Sequence, residues 1–354
     1  MVTSASALCP GRFARLLGMS TAQQSPSSAS DAHPGGDADT GAAISVRDLR
    51  QSYGDFEAVK GISFDVVPGE LFALLGTNGA GKTTTIETLE GFRRPTGGTV
   101  RVFGTDPYGQ PPALRERTNA VLQHSGLFGE LTVAETIDLS RDLCADPLGR
   151  DEVLALTGLA DKARVAVRQL SGGQKRRLDL GLAVLTRPEV LFLDEPTTGM
   201  DPEARRETWT LIADLVADGV AVLLTTHYLE EAERLADRLA IMHRGEVKVA
   251  GTLREVVVGH GDRIAFRLPA DVRFDDLPEL PGATAEVEMR QEEAWVSYTV
   301  RGEDTEGRAH GALAPLLAWA DVHSTTLHRL EVRSASLEDV FLSVADGAAD
   351  LVSG

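Results

Sequence analysis

Three uninterrupted apolar runs, residues 71–75, 190–193 and 220–224, stand out from long stretches of mixed polarity. Runs of this kind suit strands buried on both faces of a parallel sheet. The first leads into a helical pattern at 83–89, and a second helical pattern covers 176–185. Residues 241–249 read as a hairpin. Further on the pattern changes: 263–268, 285–289, 294–300 and 327–332 read as strands, 308–319 as a helix, and Ser336 opens a capped helix at 336–342. The organisation this predicts is an α/β body over residues 44–250 followed by a small α+β body over 251–354. Residues 20–43 carry no large apolar side chain and cannot bury enough surface to offset ordering, so 1–43 is expected to be a disordered extension. Met19 is a second candidate for the first residue.

Between the first apolar run and its helix lies Gly76-Thr77-Asn78-Gly79-Ala80-Gly81-Lys82-Thr83, followed by Thr84. The glycines permit a turn whose backbone N–H groups converge on an anion, and the helix N-terminus adds its positive end. In such a loop the lysine reaches phosphates and the Thr83 hydroxyl is placed to ligand magnesium. A flexible strand-to-helix turn is the bland alternative. The second run ends in Asp194-Glu195, two carboxylates at the carboxyl edge of the expected sheet. Asp194 would hold magnesium and Glu195 would act as general base on an attacking water, although Asp-Glu-Pro also opens ordinary surface turns. Ser171-Gly172-Gly173-Gln174 precedes the second helical pattern, which makes Ser171 a natural N-cap. Two glycines after a cap weaken a helix, and they make more sense where a phosphate approaches the backbone.

Together these motifs resemble the nucleotide-binding subunit of an ATP-binding cassette (ABC) transporter over roughly residues 44–251. The resemblance implies a P-loop NTPase core of RecA-like type, an antiparallel β subdomain and an α-helical signature subdomain. It implies ATP and Mg2+ as ligands. It implies that Tyr53 stacks on adenine, that Gln123 senses magnesium and the membrane partner, that Asp201 lies in the D-loop, and that His227 contacts the γ-phosphate. By the same resemblance Tyr53, Gly79, Gly81, Lys82, Thr83, Gln123, Asp194, Glu195 and His227 act within one chain, and Gly76, Asn78, Ala80 and Thr84 also belong to the nucleotide-binding set. Ser171, Gly173, Gln174 and Asp201 close on the nucleotide of a second copy, with Gly172 also in the nucleotide-binding set. Asp201 before Pro202 is also a good helix start, a role that can coexist with the other. Between Gln123 and Ser171 the family grips its membrane partner. Here Thr132 and Glu135 form a capping box for a helix through about Cys144, and Leu127, Phe128 and Leu131 either line a groove or pack inward. The C-terminal part, ending in Ser-Leu-Glu-Asp-Val-Phe-Leu, resembles that of drug-exporter ATPases of the daunorubicin-resistance type, with a role in dimer stability or regulation.

The formal charge of −18 and the acidic C-terminal part disfavour sequence-independent nucleic-acid binding. No apolar stretch reaches the roughly eighteen residues needed to cross a bilayer, so a pore would belong to a separate multispan permease. Arg12 and Arg15 interrupt the only N-terminal apolar segment, and the two cysteines, Cys9 and Cys144, form no cluster. A cytoplasmic location, peripheral to the membrane through the permease, is expected. Export of a hydrophobic small molecule is the leading reading. An importer subunit, or a nontransport ATPase acting on ribosomes or DNA, are the alternatives. The cargo, the direction of transport and the number of membrane partners are not written in the chain.

Overall fold

The computed structural model describes residues 41–123, 126–269, 272–290, 293–301 and 308–345. Of the extension expected to be disordered, residues 1–40 lie outside the described residues. The chain divides into two compact units between Lys248 and Val249.

In the first unit an antiparallel sheet of order β2-β1-β4 is built from β1 (Ile44–Tyr53), β2 (Phe56–Val66) and β4 (Gly97–Val102). A six-stranded sheet has β3 (Leu71–Gly76), β5 (Thr118–Val121), β6 (Val190–Asp194), β7 (Ala221–Thr226), β8 (Arg238–His243) and β9 (Glu246–Thr252) in the order β5-β6-β7-β3-β8-β9. Its inner pairings are parallel. Every residue of β3, β6 and β7 is buried, as continuous apolar runs require. The antiparallel sheet shares one apolar core with the larger sheet. Phe64 of β2 stacks on Phe72 of β3 at 4.9 Å between ring centroids. Each such fully buried side chain contributes about 1.5–3 kcal/mol. The turn from β8 to β9 is made by Arg244 and Gly245, both at positive φ, as tight hairpins demand.

The helices of this unit are α1 (Lys82–Leu89), α2 (Pro112–Arg115), α3 (Val133–Arg141), α4 (Arg150–Leu156), α5 (Gly172–Ala183), α6 (Pro202–Ala217) and α7 (Leu229–Leu235). The capping box expected at α3 is present: Glu135 N donates to Thr132 Oγ1 at 3.2 Å, and Thr132 N donates to Glu135 Oε2 at 2.8 Å. The helix stops at Arg141, short of the expected Cys144. Leu143 N and Cys144 N bond three residues back, to Ser140 O and Arg141 O, which tightens and ends the last turn. The apolar group before α3 divides between the two readings open for it: Phe128 is 65% exposed, whereas Leu127 and Leu131 are half-buried.

The second unit holds α8 (Leu253–His260), α9 (Arg308–Val322), α10 (Leu337–Ala345) and an antiparallel sheet of order β11-β12-β10-β13. Its strands are β10 (Asp262–Arg267), β11 (Ala283–Arg290), β12 (Glu293–Val300) and β13 (His328–Arg333). Ile264, Phe266, Val296 and Tyr298 pack against Ala312 and Leu316 of α9. The strands and helices expected from alternation after residue 260 all form, with ends moved by up to three residues.

Candidate active site

The register of the parallel sheet gathers the site. Asp194 pairs with Thr225, Leu75 with Thr226, and Val121 with Leu193, so the carboxyl ends of β3, β5, β6 and β7 finish side by side. Residues just past those ends face one another: Lys82 from the loop after β3, Gln123 after β5, Glu195 after β6 and His227 after β7. Open α/β sheets place ligands at this edge.

Asp194 is buried, and its two carboxylate oxygens accept from the first turn of α1 and from β7. Thr83 Oγ1 donates to Oδ2 at 3.2 Å, and Thr225 Oγ1 makes a short hydrogen bond to Oδ1. Glu195 has a positive φ of 48°, uncommon for a residue with a side chain, and its N–H donates to Thr225 O at 3.0 Å. Its carboxylate meets four groups. Gln123 Nε2 and Thr198 Oγ1 each donate to Oε2 at 3.3 Å. Oε1 lies 3.9 Å from Lys82 Nζ and 3.2 Å from His227 Nδ1, the latter without the alignment of a hydrogen bond. Lys82 Nζ donates to Gly76 O at 2.7 Å and Thr77 O at 3.3 Å. Burial pushes the Lys82 ammonium below its ordinary pKa, and Glu195 and Asp194 oppose that shift. Gly81 sits at φ 106°, and a Cβ there would lie 2.6 Å from Ala58 O, so only glycine fits the last bend before α1.

The remaining expected residues lie in three places. Thr77, Asn78 and Gly79 are exposed on the loop, while Gly76 and Ala80 are buried beneath it. Tyr53, the last residue of β1, is 40% exposed, with its hydroxyl 3.5 Å from Thr84 Oγ1 and the Arg93 guanidinium over its ring. Ser171 and Gln174 form a reciprocal capping box at the start of α5, and neither bonds to the Glu195 cluster. Asp201 caps α6, accepting from Glu203 N and Ala204 N. Hydrogen bonding from Ala204 N leads the causes that hold its carboxyl below the usual range. The two signature glycines differ. A Cβ on Gly173 would lie 2.6 Å from Ala204 Cβ, so close packing of α5 on α6 accounts for it. One on Gly172 would meet nothing nearer than 4.0 Å.

Three residues that the sequence reading passed over complete the site. Thr225 bonds Asp194. Glu231 of α7 is fully buried and accepts from Thr197 Oγ1 at 2.9 Å and Trp209 Nε1 at 3.0 Å, and burial holds its carboxyl above the ordinary range. Arg176 of α5 is buried and donates to main-chain carbonyls of residues 122, 194, 195 and 196. A charged residue within a helical pattern is a signal only when its burial is known.

Magnesium fits this donor set. Thr83 and Asp194 offer hard oxygen ligands, and Mg2+ in phosphate-handling sites takes one or two such side chains plus water and phosphate oxygens. Among the described residues no cluster of three or more His, Cys, Asp or Glu is arranged to hold a metal unaided.

Comparison with known proteins agrees with this architecture. The family described as ABC transporter matches residues 59–198, and that described as ABC transporter domain-containing protein-like, C-terminal domain, matches residues 262–336. The daunorubicin resistance ATP-binding protein DrrA3 of Streptomyces coeruleorubidus is 44% identical over 260 residues, covering 70% of this chain and 81% of that protein. The daunorubicin/doxorubicin resistance ATP-binding protein DrrA of Streptomyces peucetius is 35% identical over 319 residues, covering 87% and 94%. The Nod factor export ATP-binding protein I of Ralstonia nicotianae is 36% identical over 304 residues, covering 84% and 92%. A solved ATP-binding subunit of an ABC transporter, 30% identical, superposes with a TM-score of 0.55 over 60% of this chain and 91% of its own. The chain therefore belongs to the ABC transporter family as an ATP-hydrolysing subunit of the drug-exporter type.

Proposed function

We propose that the chain hydrolyses ATP at a site shared by two copies of itself, and that this drives export of a hydrophobic small molecule through a separate membrane-spanning permease. The observation that carries the reading is the convergence of Lys82, Gln123 and His227 on the Glu195 carboxylate. Phosphoryl transfer asks the protein mainly to position groups and stabilise charge. The loop from Gly76 to Thr84 holds the phosphates, with Lys82 neutralising the transferred group. Thr83 and Asp194, with Gln123 beside them, hold magnesium, which when bound screens the phosphate charge. Glu195 takes the proton of the attacking water, and His227 contacts the γ-phosphate. Tyr53 stacks on the base. Ser171, Gly172, Gly173, Gln174 and Asp201 act on the nucleotide of the opposite copy; in one chain Ser171, Gln174 and Asp201 make local helix-cap hydrogen bonds, which leaves them available for that role.

Among the described residues no helix is long and apolar enough to cross a membrane, in keeping with a separate permease. Phe128, Leu122 and Phe92 are exposed apolar side chains, and contact of the permease with such groups would hold the chain at the cytoplasmic face. Residues 44–250 carry the catalysis and 251–354 an accessory role in dimer stability or regulation. Relatives named for daunorubicin resistance and for Nod factor export support the direction of transport.

The test is Glu195→Gln. Hydrolysis should fall by about 10²–10⁴, the range for loss of a general base, while ATP binding survives and an ATP-dependent dimer accumulates. Hydrolysis at the wild-type rate would remove Glu195 from this role.

A further inference from the structure

Within α5, two turns of helix face two different tasks. Its first residues, after the Ser171 cap, are the ones assigned above to the opposite copy's nucleotide. Five residues on, about 7 Å along the helix axis, Arg176 turns inward. Its Nε donates to Pro196 O at 2.9 Å, and one terminal nitrogen donates to Asp194 O at 2.8 Å and Glu195 O at 3.3 Å. The other terminal nitrogen bonds Leu122 O, the residue before Gln123. A single guanidinium thus spans the backbone of the metal-binding carboxylate, the general base and the root of the glutamine loop.

The choice of partners is informative. Arg176 is 8% exposed; its hydrogen bonds go to main-chain carbonyls, and the charges of Asp179, Asp194, Glu231 and Glu195 act on it from nearby without displacing those carbonyls as its partners. Burying a cation costs stability, and a helix-packing role alone does not call for one. Its neighbour shows the ordinary arrangement: Arg177 reaches Thr157 O at 3.1 Å and Glu207 at 2.9 Å, tying α5 to α4 and α6. Arg176 instead holds main-chain groups that carry catalytic side chains. Only a planar fork of five donors can reach carbonyls on two separate segments at once.

We propose that Arg176 is a positioning residue that couples the two nucleotide sites of the dimer. When the α5 N-terminus closes on the nucleotide of the opposite copy, the helix carries Arg176 with it. Arg176 then sets the backbone of Asp194, Glu195 and Leu122 in its own copy's site. Occupancy of one site is thereby registered at the other. The inference rests on the shared-site reading above and adds to it the residue that conveys the signal.

The experiment is an ATP titration of hydrolysis by the full-length wild type, Arg176→Lys and Arg176→Gln, with ATP-dependent dimerisation of each followed in the Glu195→Gln background. The expected result is a wild-type Hill coefficient above 1 that falls to about 1 in both variants. kcat should drop about tenfold or more and KM change less than about threefold, with no rescue by lysine, a point charge that cannot span the carbonyls. Both variants should still dimerise on ATP. Arg176→Lys with wild-type kcat and Hill coefficient would overturn the role of Arg176 while leaving the shared site intact. Absence of an ATP-dependent dimer in the Glu195→Gln parent would overturn the shared site itself, and the coupling with it.

Discussion

The two units of this protein bury polar groups in different ways. In the first, the buried charged residues Lys82, Arg176, Asp194 and Glu231 lie at or behind the carboxyl edge of the parallel sheet, while Glu70, just before β3 at the other edge, accepts from Val67 N and pairs with Arg238. Among the described residues of the second, Asp262 accepts from Ala335 N, Ser297 accepts from Arg263 Nε and Tyr298 donates to Pro278 O, while His260 Nδ1 is buried without a hydrogen-bond partner. Burying a charge is costly unless it is paired, so a region that retains several has another use for them. The contrast separates a unit that gathers buried charges at one sheet edge from one held mainly by apolar packing.

Three substitutions sharpen or break that contrast. Leu316→Ala removes a fully buried side chain from the second unit's core and should cost about 2–5 kcal/mol in its unfolding. ATPase activity per folded molecule of the isolated protein should stay within about twofold. A large fall in kcat at a temperature where the variant is folded would mean that the second unit reaches into catalysis. Next, Thr225→Val keeps the volume of a buried strand residue but removes the hydroxyl that bonds Asp194 Oδ1. We expect kcat to fall about 10- to 100-fold, with a higher magnesium requirement and a change in melting temperature of only a few degrees. Unchanged magnesium dependence would leave Thr225 as a packing residue.

The smallest effect concerns Glu90, which follows α1 and whose two carboxylate oxygens are buried without a hydrogen-bond partner. Burial, with Asp194 and Glu87 adding like charge, pushes its carboxyl up to about 8 from an ordinary 4.5. The folded chain therefore holds this proton more tightly than the unfolded chain does. Its contribution to stability is intact below about 4.5 and is lost as pH rises through about 8. Glu90→Gln should flatten the stability–pH curve in that window by about 1 kcal/mol per pH unit, read by denaturant melts at pH 6 and pH 7.5. Parallel curves for the two proteins would show that Glu90 is not held protonated in the fold.

Much of the site was legible because its parts are local. The loop from Gly76 to Thr83 is contiguous, its turn needs glycine at φ 106°, and the apolar strand before it announces its own burial. Asp194 and Glu195 were visible for the same reason, as acids ending an apolar run. From the sequence Gly173 reads as room for a phosphate, whereas in the fold the nearest atom its missing Cβ would meet, Ala204 Cβ, belongs to another helix. Arg176 and Glu231 were not visible at all. Their partners lie 18 to 54 residues away in the one case and 22 to 34 in the other, and nothing near them in the chain distinguishes them from surface charges on an amphipathic helix.

By itself, then, the sequence determined the strand-and-helix framework, the glycine turn before α1 and the acids that end β6, since apolar runs, caps and glycine turns act over a few residues. Tertiary structure alone decided the register that sets Gln123 and His227 against Glu195, the left-handed kink at Glu195, and the burial of Arg176 against four carbonyls. Those features depend on which segments meet, and hydrogen bonds between distant segments leave no periodic trace in the chain that makes them.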